Sequence, residues 1–116
     1  IDTVSAKLAA ARWAQERGVY FISSMGGANK IHPELLKVSM LSQTHDDALA
    51  RIMRKESRKR GLSDFRVVYS PEPAQEVLAP KDAEGKAAQL GSMSYIPPIM
   101  GQLLASDVIL HLTGLD

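Results

Sequence analysis

Cysteine is absent from this 116-residue chain. A disulfide framework, a Cys-ligated zinc and a catalytic thiolate are therefore all excluded within it. Aromatic residues are scarce, with two Phe, three Tyr and one Trp. Few of them fall among the basic residues, so stacking on nucleic-acid bases is not indicated. An excess of one charge is missing too: the formal net charge is +1, and any electrostatic argument has to come from local clustering. No long apolar run is present. The most apolar stretch, near the C-terminus, is cut by Gln102, Asp107 and His111, which is too interrupted for a membrane span. The N-terminus lacks the basic region and apolar core of a secretory signal, so a soluble, cytoplasmic protein is expected. The remaining composition, 45% apolar and 23% charged, is ordinary for a globular fold. Residues 1–116 read as one domain or part of one, with a small core.

The pattern along the chain alternates helix and strand. Val4 to Arg17 is Ala-rich with good helix formers, Asp2, Thr3 and Ser5 offer capping oxygens, and Gly18 stops it. Val19 to Ile22 reads as a short buried strand that breaks at Ser23-Ser24-Met25-Gly26-Gly27-Ala28-Asn29-Lys30. Leu35 to Leu41 fits a strand with Leu36, Val38 and Met40 on one face. Asp46 to Arg60 predicts a helix, acids first and bases last, with Leu49, Ile52 and Met53 as its apolar stripe. Phe65 to Tyr69 reads as another strand. Ser70 to Ser92, punctuated by Pro71, Pro73, Pro80, Gly85 and Gly91, is long for a loop and is expected to be irregular. Met93 to Ile96 reads as a short extended piece. Pro97 and Pro98 then sit in the first turn of a final helix over Ile99–Leu112. There Gly101 and Ala105, four residues apart, most simply serve core packing.

An acid at the start, then helix, strand and a glycine-bearing loop, is the rhythm of a doubly wound α/β nucleotide site, whose ligands sit outside the carboxyl ends of the strands. Asp2 and the loop around Gly26 are then expected on one rim. Nothing before Asp2 supplies a phosphate-cradling glycine turn, so the chain is expected to be the C-terminal half of a longer enzyme and inactive alone.

The motifs, taken in order, resemble those of a known family. They are Ile1-Asp2-Thr3-Val4 with Lys7; Met25-Gly26-Gly27-Ala28-Asn29-Lys30-Ile31-His32-Pro33; Thr44-His45-Asp46-Asp47-Ala48-Leu49-Ala50; Arg54-Lys55-Glu56-Ser57-Arg58-Lys59-Arg60-Gly61; Val67-Val68-Tyr69-Ser70; and Gly91-Ser92-Met93-Ser94-Tyr95-Ile96-Pro97-Pro98. In that order they look like the C-terminal half of the HesA/MoeB/ThiF group of ubiquitin-activating-enzyme-like adenylating enzymes. They are most similar to its tRNA threonylcarbamoyladenosine dehydratase branch. The resemblance implies the C-terminal portion of a Rossmann-like ATP-binding α/β fold, with additional strands and a C-terminal helix. It also implies a reaction in which ATP adenylates a carboxylate of a modified adenosine in tRNA and an internal nucleophile closes a ring with net loss of water. ATP and Mg²⁺ are the cofactors so implied, tRNA the partner, and a homodimer the assembly of the whole protein.

Residue by residue, Asp2 matches the acid that holds Mg²⁺ near the phosphates, a task for a hard oxygen ligand. Lys7 matches a basic, catalytic position after it. Gly26, Gly27 and Asn29 match the cofactor-side loop facing the reacting carboxylate, where absence of a Cβ allows close approach. Asp47 stands where the family pattern leads to proline. Missing Cys-x-x-Cys pairs favour the dehydratase branch over relatives that activate the C-terminus of a ubiquitin-like or sulfur-carrier protein, which remains an alternative. A non-catalytic RNA-binding or dimerisation module is another.

Each signal also has a plainer reading. Asp2 serves equally as a helix N-cap, and the glycine pair as an ordinary turn. The bases Arg51, Arg54, Lys55, Arg58, Lys59 and Arg60 either form a solvated face that complements the negative helix end or contact tRNA phosphates, which would make binding salt-dependent. His32, His45 and His111 lie on separate elements without ligand spacing and read as hydrogen-bonded or surface residues.

Overall fold

The computed structural model describes residues 3–73 and 93–116. Helix α1 spans Val4–Arg17, strand β1 Ile22–Ser24, β2 Lys37–Met40, helix α2 Ala48–Lys59, strand β3 Arg66–Tyr69 and helix α3 Ile96–Thr113. Single 3₁₀ turns at Pro33–Leu35 and Leu41–Gln43 flank β2. The expected irregular segment falls largely on 74–92, outside the described residues.

The sheet is mixed, in the order β1-β3-β2. Strand β3 runs parallel to β1, with Ile22 opposite Arg66 and Ser24 opposite Val68, and antiparallel to β2, with Lys37 opposite Tyr69 and Met40 opposite Arg66. As the central strand, β3 is covered on both faces, and its side chains alternate between two cores as the strand period requires. Val67 and Tyr69 join Leu8 and Ala11 of α1, Ala50 and Met53 of α2, and Met25, Leu41 and Phe65. Val68 joins Leu36, Ile96 and Met100 beneath α3. The result is an α/β/α arrangement with α1 and α2 on one side and α3 on the other, as expected of part of a Rossmann-like fold.

Several elements depart from the sequence expectation for local reasons. Helix α1 has the expected bounds, but its N-cap Thr3 makes no side-chain capping bond. Gly18 is left-handed at φ 64°, and the Val19 N–H turns back to Ala14 O at 2.9 Å. Val19 is thereby spent on ending the helix and is 48% exposed, so β1 starts at Ile22 and takes in Ser23 and Ser24 instead. Helix α2 begins at Ala48 because Asp47 is its N-cap, accepting from the Ala50 N–H at 2.9 Å. A carboxylate there satisfies an otherwise orphan amide. Its buried face is Ala50, Met53 and Ser57, while Ile52 points to solvent. Leu49 and Met53 keep the expected core side, and only Ile52 of the expected stripe departs from it. Helix α3 starts at Ile96, which is fully buried, so the expected extended piece is shortened to a turn. Gly101 and Ala105 are exposed, with nothing within 4 Å of a Cβ at Gly101, which corrects the core-packing reading. Among the described residues no helix is long and apolar enough to cross a membrane.

A polar network pins α3 to the start of the central strand β3. Asp107, 9% exposed, accepts from Arg66 Nη2 at 2.5 Å and from Tyr20 Oη at 2.6 Å. The Tyr20 ring stacks on His111 at 3.7 Å.

Candidate functional site

The carboxyl ends of the parallel strands β1 and β3 make the rim. Chain continuity carries β1 straight into Met25-Gly26-Gly27-Ala28-Asn29-Lys30, and the Met25 N–H extends the ladder to Val68 O at 2.8 Å. From α1, Lys7 reaches under this loop. It is 7% exposed, and its ammonium donates to Ser24 O at 3.0 Å and Ser23 Oγ at 3.5 Å. Lys7 thereby ties α1 to the end of β1, where the loop begins. Asp2, read as metal ligand and catalytic acid position, lies outside the described residues.

Neighbouring side chains pack closely on both glycines. A Cβ on Gly26 would lie 3.2 Å from Asp47 Oδ1, and one on Gly27 would lie 3.0 Å from Ile96 Cγ2 and 3.1 Å from Met100 Sδ. The loop is thus seated between the α2 cap and the start of α3. Gly27→Ala is expected to destabilise the fold by about 1 kcal/mol, the lower range for overpacking, because the atoms it meets are ends of flexible side chains; urea unfolding measures it. Asn29 occupies the left-handed region at φ 61°, which Asn tolerates better than most residues. Among the described residues its Oδ1 is buried without a hydrogen-bond partner, as is Asp47 Oδ2. Buried acceptors ordinarily have a donor, and these two lie on and beside one loop.

Sequence reasoning missed what holds the loop down. Lys30 is 3% exposed, and its Nζ donates to Asp46 O at 2.7 Å, Ser70 O at 3.2 Å and the carbonyl of Glu72. The Glu72 carboxylate, also 3% exposed, accepts from the Ile31 N–H at 3.0 Å and the His32 N–H at 2.9 Å. Tyr95 Oη adds a bond to Ile31 O at 2.8 Å. A buried cation and a buried carboxylate thus clasp the glycine loop to the α2 entry and to the segment leaving β3. Lys30 lay in a motif and could have been weighed as a buried donor. Glu72, between two prolines, carried no local signal.

The basic residues lie along α2 and at its C-cap Arg60. Arg54 is half-buried, and Arg51, Lys55, Arg58, Lys59 and Arg60 are exposed. Lys59 pairs with Glu56 at 3.6 Å. The histidines behave as expected, with His32 beside Glu34 and His45 beside Asp46. Among the described residues no group of three His, Cys, Asp or Glu is placed to hold a metal.

No protein-family model matches the chain. Over 115 residues it is 35% identical to tRNA threonylcarbamoyladenosine dehydratase 2 of Saccharomyces cerevisiae, covering 89% of this chain and 26% of that protein. It is 26% identical over 121 residues to the Bacillus subtilis tRNA threonylcarbamoyladenosine dehydratase, covering 96% of this chain and 48% of that one. Among solved structures, the Escherichia coli tRNA N6-threonylcarbamoyladenosine dehydratase TcdA matches with a TM-score of 0.81 at 18% identity, covering 98% of this chain and 46% of that one. The same enzyme in complex with ATP matches with a TM-score of 0.60. The structural likeness shows a shared fold. The chain spans between about a quarter and a half of the length of these relatives.

Proposed function

We propose that this chain, similar in sequence and fold to part of the tRNA threonylcarbamoyladenosine dehydratases of the HesA/MoeB/ThiF type, builds one rim of an ATP-dependent adenylation site acting on threonylcarbamoyladenosine in tRNA. The observation that carries the reading is the 35% identity to a dehydratase over nearly the whole chain. The rim geometry supports it. Lys7 and the clasped Gly26–Lys30 loop meet at the strand ends, where α/β folds take their ligands.

ATP would supply an adenylyl group, converting the substrate carboxylate oxygen into part of a good leaving group with loss of pyrophosphate. Ring closure then expels AMP, so the nucleoside loses one water in all. The chain's own residues position and shield. Asp2 is the carboxylate this chain would offer to Mg²⁺, and one carboxylate completed by phosphate oxygens is a normal magnesium arrangement. Lys7 keeps a positive charge beneath the loop. Asn29 Oδ1 and Asp47 Oδ2 are the acceptors that would meet donor groups arriving at the rim. The glycines keep the loop close to α2 and α3, which fixes where those acceptors stand.

The product of the complete reading frame, incubated with ATP, Mg²⁺ and tRNA carrying threonylcarbamoyladenosine, should yield a nucleoside lighter by one water on mass spectrometry of the digest. An unchanged nucleoside, with ATP instead consumed on a small protein ending in Gly-Gly, would move the chain to the carrier-activating branch.

A further inference from the structure

The six bases of α2 are not equivalent. Two grooves run along the helix and share Arg54. One, of about 380 Å³, is lined by Leu41 and Leu62, by Arg54 and Arg58, and by Ser42 and Asp64. The other, of about 300 Å³, lies toward the helix start, where Arg51 and Arg54 face Asp46 and Asp47. Arg51, Arg54 and Arg58 line these grooves; Lys55, Lys59 and Arg60 do not. Spacings of three and four residues put the three arginines, together with Lys55, toward one side of the helix, the arginines spread over roughly 10 Å of its length; lining the grooves is what sets the arginines apart.

Arg51 and Arg58 are exposed, and Arg54 is held in place between them. Arg54 Nη1 donates to Thr44 O at 2.9 Å and to the Thr44 hydroxyl, which fixes its side chain at the junction of the grooves. Arg58 Nε rests on Arg54 O at 3.4 Å. Asp64, the acid of the larger groove, is occupied by the Ser42 N–H at 3.1 Å, the Ser42 hydroxyl at 2.5 Å and the Phe65 N–H at 3.0 Å. Asp46 and Asp47 close the rim end with negative charge, so phosphates would seat from Arg51 outward toward Arg58. A guanidinium fork matches a phosphate bidentately, whereas a lysine offers only a point charge. Leu62, half-buried, gives the larger groove an apolar edge that suits a sugar.

Building on the RNA substrate proposed above, we infer that a single-stranded stretch of that RNA lies along this face with its phosphates on Arg51, Arg54 and Arg58. Lys55, Lys59 and Arg60 add only diffuse charge. The test removes equal charge from the two sets. R51Q/R58Q and K55Q/K59Q each delete two positive charges from exposed positions on the same helix, and neither touches the anchored Arg54. Binding of tRNA to the complete protein is measured over a salt series. The arginine pair should lower the slope of log affinity against log salt by about 1.4, at roughly 0.7 per contact with a single strand, and weaken binding by about tenfold or more. The lysine pair should leave the slope unchanged and shift affinity by less than about threefold. Equal losses from both pairs would overturn the track while leaving the RNA reading intact. No tRNA binding by the unaltered protein would remove the RNA reading itself. An unmoved RNA titration, with capture of a small Gly-Gly-ending protein weakened by the arginine pair, would make this face a protein interface instead.

Discussion

Replacing Lys30 by Met should lower the stability of the fold by about 4 kcal/mol, the largest loss expected from any single substitution described here. The ammonium is 3% exposed and donates to three main-chain carbonyls from two segments. A hydrogen bond to a charged group contributes roughly 1.5–3 kcal/mol, and an acceptor left buried without a donor costs about 1–3 kcal/mol. Met matches the length of lysine but supplies no donor, so all three carbonyls at Asp46, Ser70 and Glu72 lose their partner together. Partial relaxation keeps the total below the simple sum. Domains are stable by only about 5–15 kcal/mol, so the variant should unfold at much lower urea. The glycine loop, which the clasp seats, should become protease-sensitive before the rest. Glu72→Gln is the milder companion. It retains one acceptor oxygen for the Ile31 and His32 amides and should lose only about 1–2 kcal/mol. A Lys30→Met loss under about 1 kcal/mol would mean that water replaces the ammonium and the clasp does not hold the loop.

This clasp marks the boundary of what local pattern can reveal. Helix α1 was legible to the residue because every signal for it is local: the alanines, the straight-chain formers and the stop at Gly18. For α2 the pattern gave the helix, its opening acids and two of the three stripe residues, Leu49 and Met53. Ile52 is exposed and Ser57 buried because the side on which α1 packs, and not periodicity alone, decides which face is covered. At Gly26 and Gly27 close approach was readable. Asp47 approaches the first and Ile96 with Met100 the second, and no spacing rule encodes those contacts. Lys30 and Glu72 are 42 residues apart, and only the parallel pairing of β1 with β3 brings them together. The basic run on α2 was plain in the sequence. Its division into groove-lining arginines and outlying lysines needed the 3₁₀ turn at Leu41–Gln43 and the segment around Asp64 to be in place.

Acid should weaken the attachment of α3 through Asp107. Burial alone would raise this carboxyl, but the hydrogen bonds from Arg66 and Tyr20, with the positive charges of Arg66 and His111, outweigh it and hold the group below its ordinary value near 3.8. A depressed folded value stabilises the ionised form. Its contribution is therefore complete above the unfolded value and is lost as pH falls through the folded one. Tyr20 works from the other side. Burial, then its hydrogen bond to Asp107, raise it above 10.0, so its share is present below that pH and disappears as pH rises past the folded value. Between these limits the network is intact. Asp107→Asn should lower stability at pH 7 by about 2 kcal/mol. Charge-assisted hydrogen bonds argue for more, but Arg66 keeps 40% of its side chain in solvent, and screening discounts that half of the pair. The gap between Asp107→Asn and the unaltered protein should then narrow as urea titrations are moved from pH 7 to pH 3, because protonation removes from the native protein what the substitution has already removed. A gap that stays constant over this range would show that Asp107 is held by packing and not by its charge. Tyr20→Phe separates the two bonds: it leaves the Arg66 pair in place, so it should lose only about 1 kcal/mol, and the acid dependence should survive it.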